Sequence, residues 1–257
     1  MTPVTGVLAM LDSVKTMPVS SGHACGQHGN AEGCQHCQVR PLSICGALAD
    51  DELVEMSALA HRACIAPRSA IFGQGDDAMS VYNITSGTIR LSRLLPDGRR
   101  QIVGFALAGD FLGLSLAECH SFAAESVDAV TVCRFSRTSF SDMVDRKPHL
   151  LRRLHSYAMH ELSIAQEQMV VLGRRNAEEK VAAFLVGLRD RRARLTGHAS
   201  VHVPLPMSRQ DIADFLGLTI ETVSRTFTRL ANDKSIVVVP DGVRLLNVDR
   251  LEKLAAG

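Results

Sequence analysis

The chain has 257 residues, 46% hydrophobic and 21% charged, an ordinary soluble composition with length enough for two modest domains. Its net charge is only +1, but residues 174–257 carry 14 Lys/Arg against 10 Asp/Glu while residues 1–173 carry 14 against 17, so the C-terminal part is mildly basic, as phosphate contacts prefer. No run reaches the length of a membrane span, and Val4 to Leu11 lacks the basic leader and cleavage site of a secretory signal, which predicts a cytoplasmic protein that does not contact membranes.

Residues 1–24 show no period and read as a mobile tail. Cys25, Cys34, Cys37 and Cys45 follow in a Gly-rich stretch with too little apolar material to fold unaided, so a bound ligand is expected to order it. In a cytoplasmic chain seven cysteines read as metal ligands, redox thiols or small buried residues, not disulfides. Cys64 and Cys119 are expected to be buried, and His23, His28 and His36 simply exposed. Asp50 to His61 predicts an amphipathic helix with Leu53, Met56, Leu59 and Ala60 on one face. From Cys64 to Phe135 the texture is of short strands, Ser69–Phe72, Val81–Ile84, Thr88–Leu91, Gln101–Phe105 and Ala129–Cys133, separated by glycine turns, which suggests a barrel or jelly roll.

Past Pro148 the pattern turns helical. Leu151, Leu154, Ala158, Leu162, Ala165, Met169 and Leu172 step by three and four, a near-heptad seam suited to pairing with a second copy. An inward-facing helix would show the same period. Gly173 reads as a hinge, Asn176 starts a further helix, and the run Arg189 to Arg194 closes it as a solvated charged face or a phosphate contact.

The most informative stretch is Ser208 to Leu230. Ser208 with Asp211 three residues on is a capping-box start, Gly217 permits a sharp exit, and Thr219 caps a second helix on which Val223, Phe227 and Leu230 recur. Two helices joined through a glycine turn make a helix-turn-helix. Glu221, Ser224 and Arg225 share one surface near the N-terminus of the second helix, where bases are read. Ser208, Arg209, Thr219 and Thr222 are candidate further DNA contacts. Ile236–Val239, Pro240-Asp241-Gly242 and Val243–Leu246 read as a wing hairpin.

Ser86-Gly87-Thr88-Ile89, Ala108-Gly109-Asp110-Phe111-Leu112-Gly113, Asn176-Ala177-Glu178-Glu179-Lys180-Val181 and Leu216-Gly217-Leu218-Thr219-Ile220-Glu221-Thr222-Val223-Ser224-Arg225 together resemble the CRP/FNR superfamily of bacterial transcription regulators over about residues 25–250. The resemblance implies an α+β chain: residues 1–46 a tail and cysteine-rich segment, 47–147 a β jelly-roll sensor domain of the cyclic-nucleotide-binding type, 148–173 a dimerisation helix, and 174–257 a winged helix-turn-helix domain. Glu221, Ser224 and Arg225 resemble the reading triplet of the FNR branch. They imply a homodimer on palindromic double-stranded DNA with half-sites close to TTGAT, and RNA polymerase as a further partner.

In that branch N-terminal cysteines and one distant cysteine hold an oxygen-labile [4Fe-4S] cluster. The resemblance assigns these roles to Cys34, Cys37, Cys45 and Cys133, with Cys25 as an alternative, although seven residues separate Cys37 from Cys45 where some members have five. By donor chemistry alone four thiolates suit a cubane cluster or tetrahedral zinc equally, and a redox thiol is a third possibility. Leu114 after Gly113, and the lack of arginine from Cys119 to Ser126, disfavour a cyclic nucleotide. No paired carboxylates, Ser/His/Asp set or phosphate-cradling loop points to an enzyme. An acid that opposes pairing in FNR relatives is replaced here by Ala165.

Overall fold

The computed structural model describes residues 34–114 and 117–257. Cys25, His23, His28 and the tail lie outside the described residues.

Eight strands form the N-terminal half: β1 (His61–Ile65), β2 (Ala70–Phe72), β3 (Ser80–Ser86), β4 (Thr88–Leu94), β5 (Arg100–Leu107), β6 (Phe111–Leu112), β7 (Ala123–Ser126) and β8 (Val130–Ser136). They pair as two four-stranded antiparallel sheets, ordered β1-β8-β3-β6 and β2-β7-β4-β5, which is the two-sheet arrangement of a jelly roll. Phe72, Tyr82, Ile84, Ile89, Leu112, Val130 and Val132 fill the space between the sheets. Alternation along β8 sends Val130 and Val132 inward, while Cys133 and Phe135 join a second core on the outer face. The turn after β6 requires Gly113: at φ +86° a Cβ there would stand 2.6 Å from the Ser80 carbonyl oxygen.

That outer face is covered by residues 34–48, α1 (Asp50–Leu59), α2 (Arg137–Arg146) and the start of the long α3 (Pro148–Arg174). Residues 34–46 are therefore not a loose loop. Val39, Ser43 and Ile44 are buried, and a short 3-10 turn spans Ile44–Ala47, so a few apolar anchors pin the segment despite its glycine-rich texture. The five expected strands are present with ends shifted by a few residues. β1, β6 and β7 go beyond those five, because His61-Arg62 and Ala123–Ser126 carry little β-branched or alternating character and β6 is only two residues long.

The C-terminal half comprises α4 (Ala177–Thr196), β9 (His202–Pro204), α5 (Arg209–Leu216), α6 (Ile220–Asn232), β10 (Ile236–Val239), β11 (Gly242–Leu245) and α7 (Val248–Ala256), with the sheet ordered β10-β11-β9. Gly173 is not the hinge. It lies within α3, and the break falls at Arg175-Asn176, where Asn176 caps α4 through the backbone N–H groups of Glu178 and Glu179. This half shares its core with β5, whose Ile102, Phe105 and Leu107 pack with Val171, Phe184, Ile212 and Leu216.

Candidate functional site

The helix-turn-helix is built as its sequence demands. Ser208 Oγ accepts from Asp211 N at 3.1 Å, and Asp211 Oδ2 accepts from Ser208 N at 3.0 Å. Gly217 ends α5 in the left-handed region, φ +61°. Thr219 Oγ1 then caps α6 by accepting from Thr222 N at 3.2 Å. Val223, Phe227 and Leu230 are buried, which leaves Glu221, Ser224 and Arg225 exposed on one surface. The Glu221 backbone N–H and the Thr219 hydroxyl hold the Glu221 carboxyl below the ordinary carboxylate range. It is thus ionised and able to accept from a base. Thr219 and Thr222 are engaged in the cap, with their hydroxyls 3.0 Å apart. Arg209 is half-buried with its guanidinium carbon 3.3 Å from the centroid of the Phe227 ring, a cation–π contact that braces the two helices.

Two features hold this head in place. Lys180, buried on α4, donates to the Leu216 carbonyl at 3.2 Å, and Gln168 on α3 donates to the Phe215 carbonyl at 3.3 Å, satisfying the open end of α5. At its other end, Arg90 Nη1 and Arg100 Nη2 each reach Asp211 Oδ1 at 2.9 Å. Arg100 also grips Asp214 at 2.7 and 3.0 Å, and Gln101 donates to the Asp214 carbonyl at 2.6 Å. Burial pushes the Asp211 carboxyl up, but Ser208 and the two guanidinium charges outweigh it and hold it below the ordinary range. Over a hundred residues separate these partners, and nothing in the local pattern announces them.

The four cysteines Cys34, Cys37, Cys45 and Cys133 line one narrow pocket between residues 34–48 and the outer sheet face, together with Arg40, Arg62, Asn83 and Phe135. Its volume is about 20 Å³. Among the described residues no three His, Cys, Asp or Glu side chains are arranged to hold a metal ion. Tetrahedral zinc would require four sulfurs within about 2.3 Å of one point; a cubane takes one thiolate at each of four irons. Donor type and number suit either centre, and Asn83 Oδ1, buried in this pocket without a hydrogen-bond partner, marks a place where a polar group is unmatched. Cys133 is buried and Cys45 half-buried with an enclosed thiol. Burial pushes Cys45 up to about 12, with Ser43 opposing, and Cys133 up to about 11, with Arg62 opposing. Both are neutral thiols at physiological pH, unlike the low-pKa thiols of redox-reactive sites. Cys64 is half-buried and disulfide-bonded, against the expectation of a free buried thiol, and Cys119 is exposed in the turn before β7, where its sulfur lies 3.8 Å from Asp77. His36 is exposed.

Residues 179–254 match the model of the Crp-like helix-turn-helix domain and residues 64–147 that of the cyclic nucleotide-binding domain. The chain is 56% identical to the transcriptional activatory protein AadR of Rhodopseudomonas palustris over 86% of this chain and 92% of that protein. It belongs to the CRP/FNR family. A second relative, the nitrogen fixation regulation protein FixK of Bradyrhizobium diazoefficiens, is 51% identical over 88% of this chain and 95% of its own length. The solved structure of FixK2 from Bradyrhizobium japonicum superimposes with a TM-score of 0.71 at 36% identity, covering 77% of this chain and 98% of that one. The proteins of this family are DNA-binding transcription regulators, not enzymes. None of the helices among the described residues is long and apolar enough to cross a membrane.

The long helix α3 of this CRP/FNR protein divides its side chains between two environments. Leu150, Val171 and, partly, Leu154, Tyr157 and Ile164 face the chain's own cores. Leu151, Ala158, Leu162, Ala165, Met169 and Leu172 are exposed, Met169 to 71%. Of the residues expected on the seam Leu154 alone is half-buried, packed against the cluster that includes Leu150 and Phe111. His155 beside it is exposed, and with His155 in place of Leu154 the exposed line steps strictly by four and three. Much of the arginine run is engaged within the chain: Arg189 pairs with Asp190 and Glu252 and Arg191 with Asp110 and the Phe105 carbonyl, while Arg194 stays exposed beside His160. Docking α4 against β5 and α3 places acceptors around those guanidinium groups.

Proposed function

We propose that this CRP/FNR protein is an oxygen-responsive activator that binds FNR-type palindromic sites as a homodimer and controls anaerobic or microaerobic genes, with Cys34, Cys37, Cys45 and Cys133 holding a [4Fe-4S] cluster. The single observation that carries the reading is the meeting of these four cysteines, three from the N-terminal segment and one 88 positions on, in one pocket. Bound there, a cluster supplies reactivity toward oxygen. Cys45 and Cys133 would release their protons on ligation, so loading is favoured by rising pH.

The chain's own residues link this pocket to the seam. Arg153 on α3 donates from Nη2 to the carbonyls of Pro41, Leu42 and Ser43 at 3.0, 3.4 and 3.4 Å. It stands two residues from Leu151. A cavity of about 20 Å³ admits little more than one water, so a larger occupant requires residues 34–48 to shift, and Arg153 ties that shift to α3. Pairing of two seams then sets two recognition helices about 34 Å apart on one face of the duplex. Driving such an equilibrium from 1:99 to 99:1 takes about 5.5 kcal/mol of preference for the paired state. Arg225 is assigned to guanine, and Glu221 and Ser224 to neighbouring bases. Ser208 and Thr219 suit phosphate at the helix starts, and RNA polymerase is the further partner of an activator.

Purification without oxygen tests the reading. A brown protein with broad visible absorbance that bleaches in air, and that contains iron and sulfide, is expected; a colourless protein, or one holding zinc, overturns it.

A further inference from the structure

Cys133 sits at the centre of a row across the outer sheet. In the antiparallel register it stands opposite Arg62 on β1 and opposite Asn83 on β3, and side chains directly opposite share a face. Both neighbours line the cysteine pocket. Arg62 Nη2 points at Cys34 Sγ, 3.9 Å away. Asn83 is 2% exposed, and its Oδ1 has no hydrogen-bond partner. A buried amide without a partner is uncommon, and here its surroundings are sulfur, a guanidinium group and apolar side chains.

We propose that Arg62 and Asn83 are positioning residues that tune the four-sulfur site: the guanidinium offsets negative charge gathered on the thiolates, and the amide, turned about its last torsion, donates N–H to sulfur. This rests on the cluster reading above and says which residues set its redox poise. Charge and hydrogen bonds at the sulfurs are the levers by which a protein moves such a potential. Both groups favour the more negative, reduced state. Removing either lowers the midpoint potential and makes oxidative loss in air faster. Arg40, the other guanidinium group of the pocket, is already committed to the Leu48 carbonyl and Asp50.

The experiment uses the full chain, reconstituted without oxygen with ferrous iron and sulfide, as wild type, Arg62→Gln, Arg62→Lys and Asn83→Leu. Iron and sulfide content, midpoint potential by spectroelectrochemistry and the rate of bleaching in air are measured. Arg62→Gln and Asn83→Leu are expected to keep iron and sulfide while the one-electron equilibrium moves about tenfold toward oxidation, a fall of about 59 mV, and bleaching accelerates. Arg62→Lys, which keeps the charge, is expected to lie nearer the wild type. Wild-type potential and bleaching rate in both Arg62→Gln and Asn83→Leu overturn this inference and leave the cluster reading standing. A wild-type chain that takes up no iron and sulfide overturns both. Should Asn83→Leu fail to fold, as judged by circular dichroism, the two Arg62 variants decide, because that side chain is exposed.

Discussion

At the scale of single residues, chemistry follows from what each side chain is free to do. Arg225 is exposed at the first turns of α6 and makes no ion pair among the described residues, whereas Arg209 is spent on Phe227. Arg225→Ala is therefore expected to cost about 1 to 3 kcal/mol of discrimination at the guanine of the half-site. Titrations against operators changed at one base pair check this, and the preference at that position should vanish while binding to unrelated DNA changes far less. Asp211 illustrates the opposite case, a carboxylate used for construction. Its folded pKa is depressed, so the stability it adds is complete above the ordinary aspartate value of about 3.9 and is lost as pH falls through the lower folded value. Asp211→Asn should cost about 2 to 3 kcal/mol at pH 7, below the about 3 to 5 typical of a broken buried pair because Arg90 keeps Glu125 and Arg100 keeps Asp214. Urea midpoints across pH 2 to 7 should show a shallower acid limb in that variant.

Among the elements, α3 does two jobs on two faces. One face is covered by the chain's own cores, and the other presents a heptad line with no cover from the described residues. Sequence periodicity alone could not divide them, because both faces repeat at three and four residues, and Leu154 and His155 differ by only one position. Leu162, 49% exposed, is central to the outer line. Leu162→Glu should place carboxylates across a paired seam and raise the dimer dissociation constant at least tenfold, about 1.4 kcal/mol, with unchanged helical content. Sedimentation equilibrium and circular dichroism together check this, and an unchanged dimer constant would move the pairing surface elsewhere.

For the whole molecule, the consequential contacts are those joining parts distant in sequence. The 34–48 segment is tied to α3 by Arg153, and the reading head is tied to the jelly roll by Arg90, Arg100 and Gln101. If Arg153 transmits the state of the cysteine pocket, Arg153→Ala should retain iron and sulfide yet bind operator about tenfold more weakly, about 1.4 kcal/mol; anaerobic fluorescence anisotropy with labelled operator measures it, and wild-type affinity would place the coupling elsewhere. What the amino-acid order by itself determined is local: the caps at Asn176, Ser208 and Thr219, the glycine exit at Gly217, the strand alternation and the seam's period, since each depends on neighbours within a turn or two of chain. Only the tertiary structure decided that Cys133 faces the N-terminal cysteines, that Leu154 turns inward, that Arg189 and Arg191 are consumed by internal partners, and that Asp211 caps a helix and anchors it at once. Those outcomes depend on which surfaces meet across many tens of residues, and a spacing pattern carries no information about an acceptor that arrives from another element.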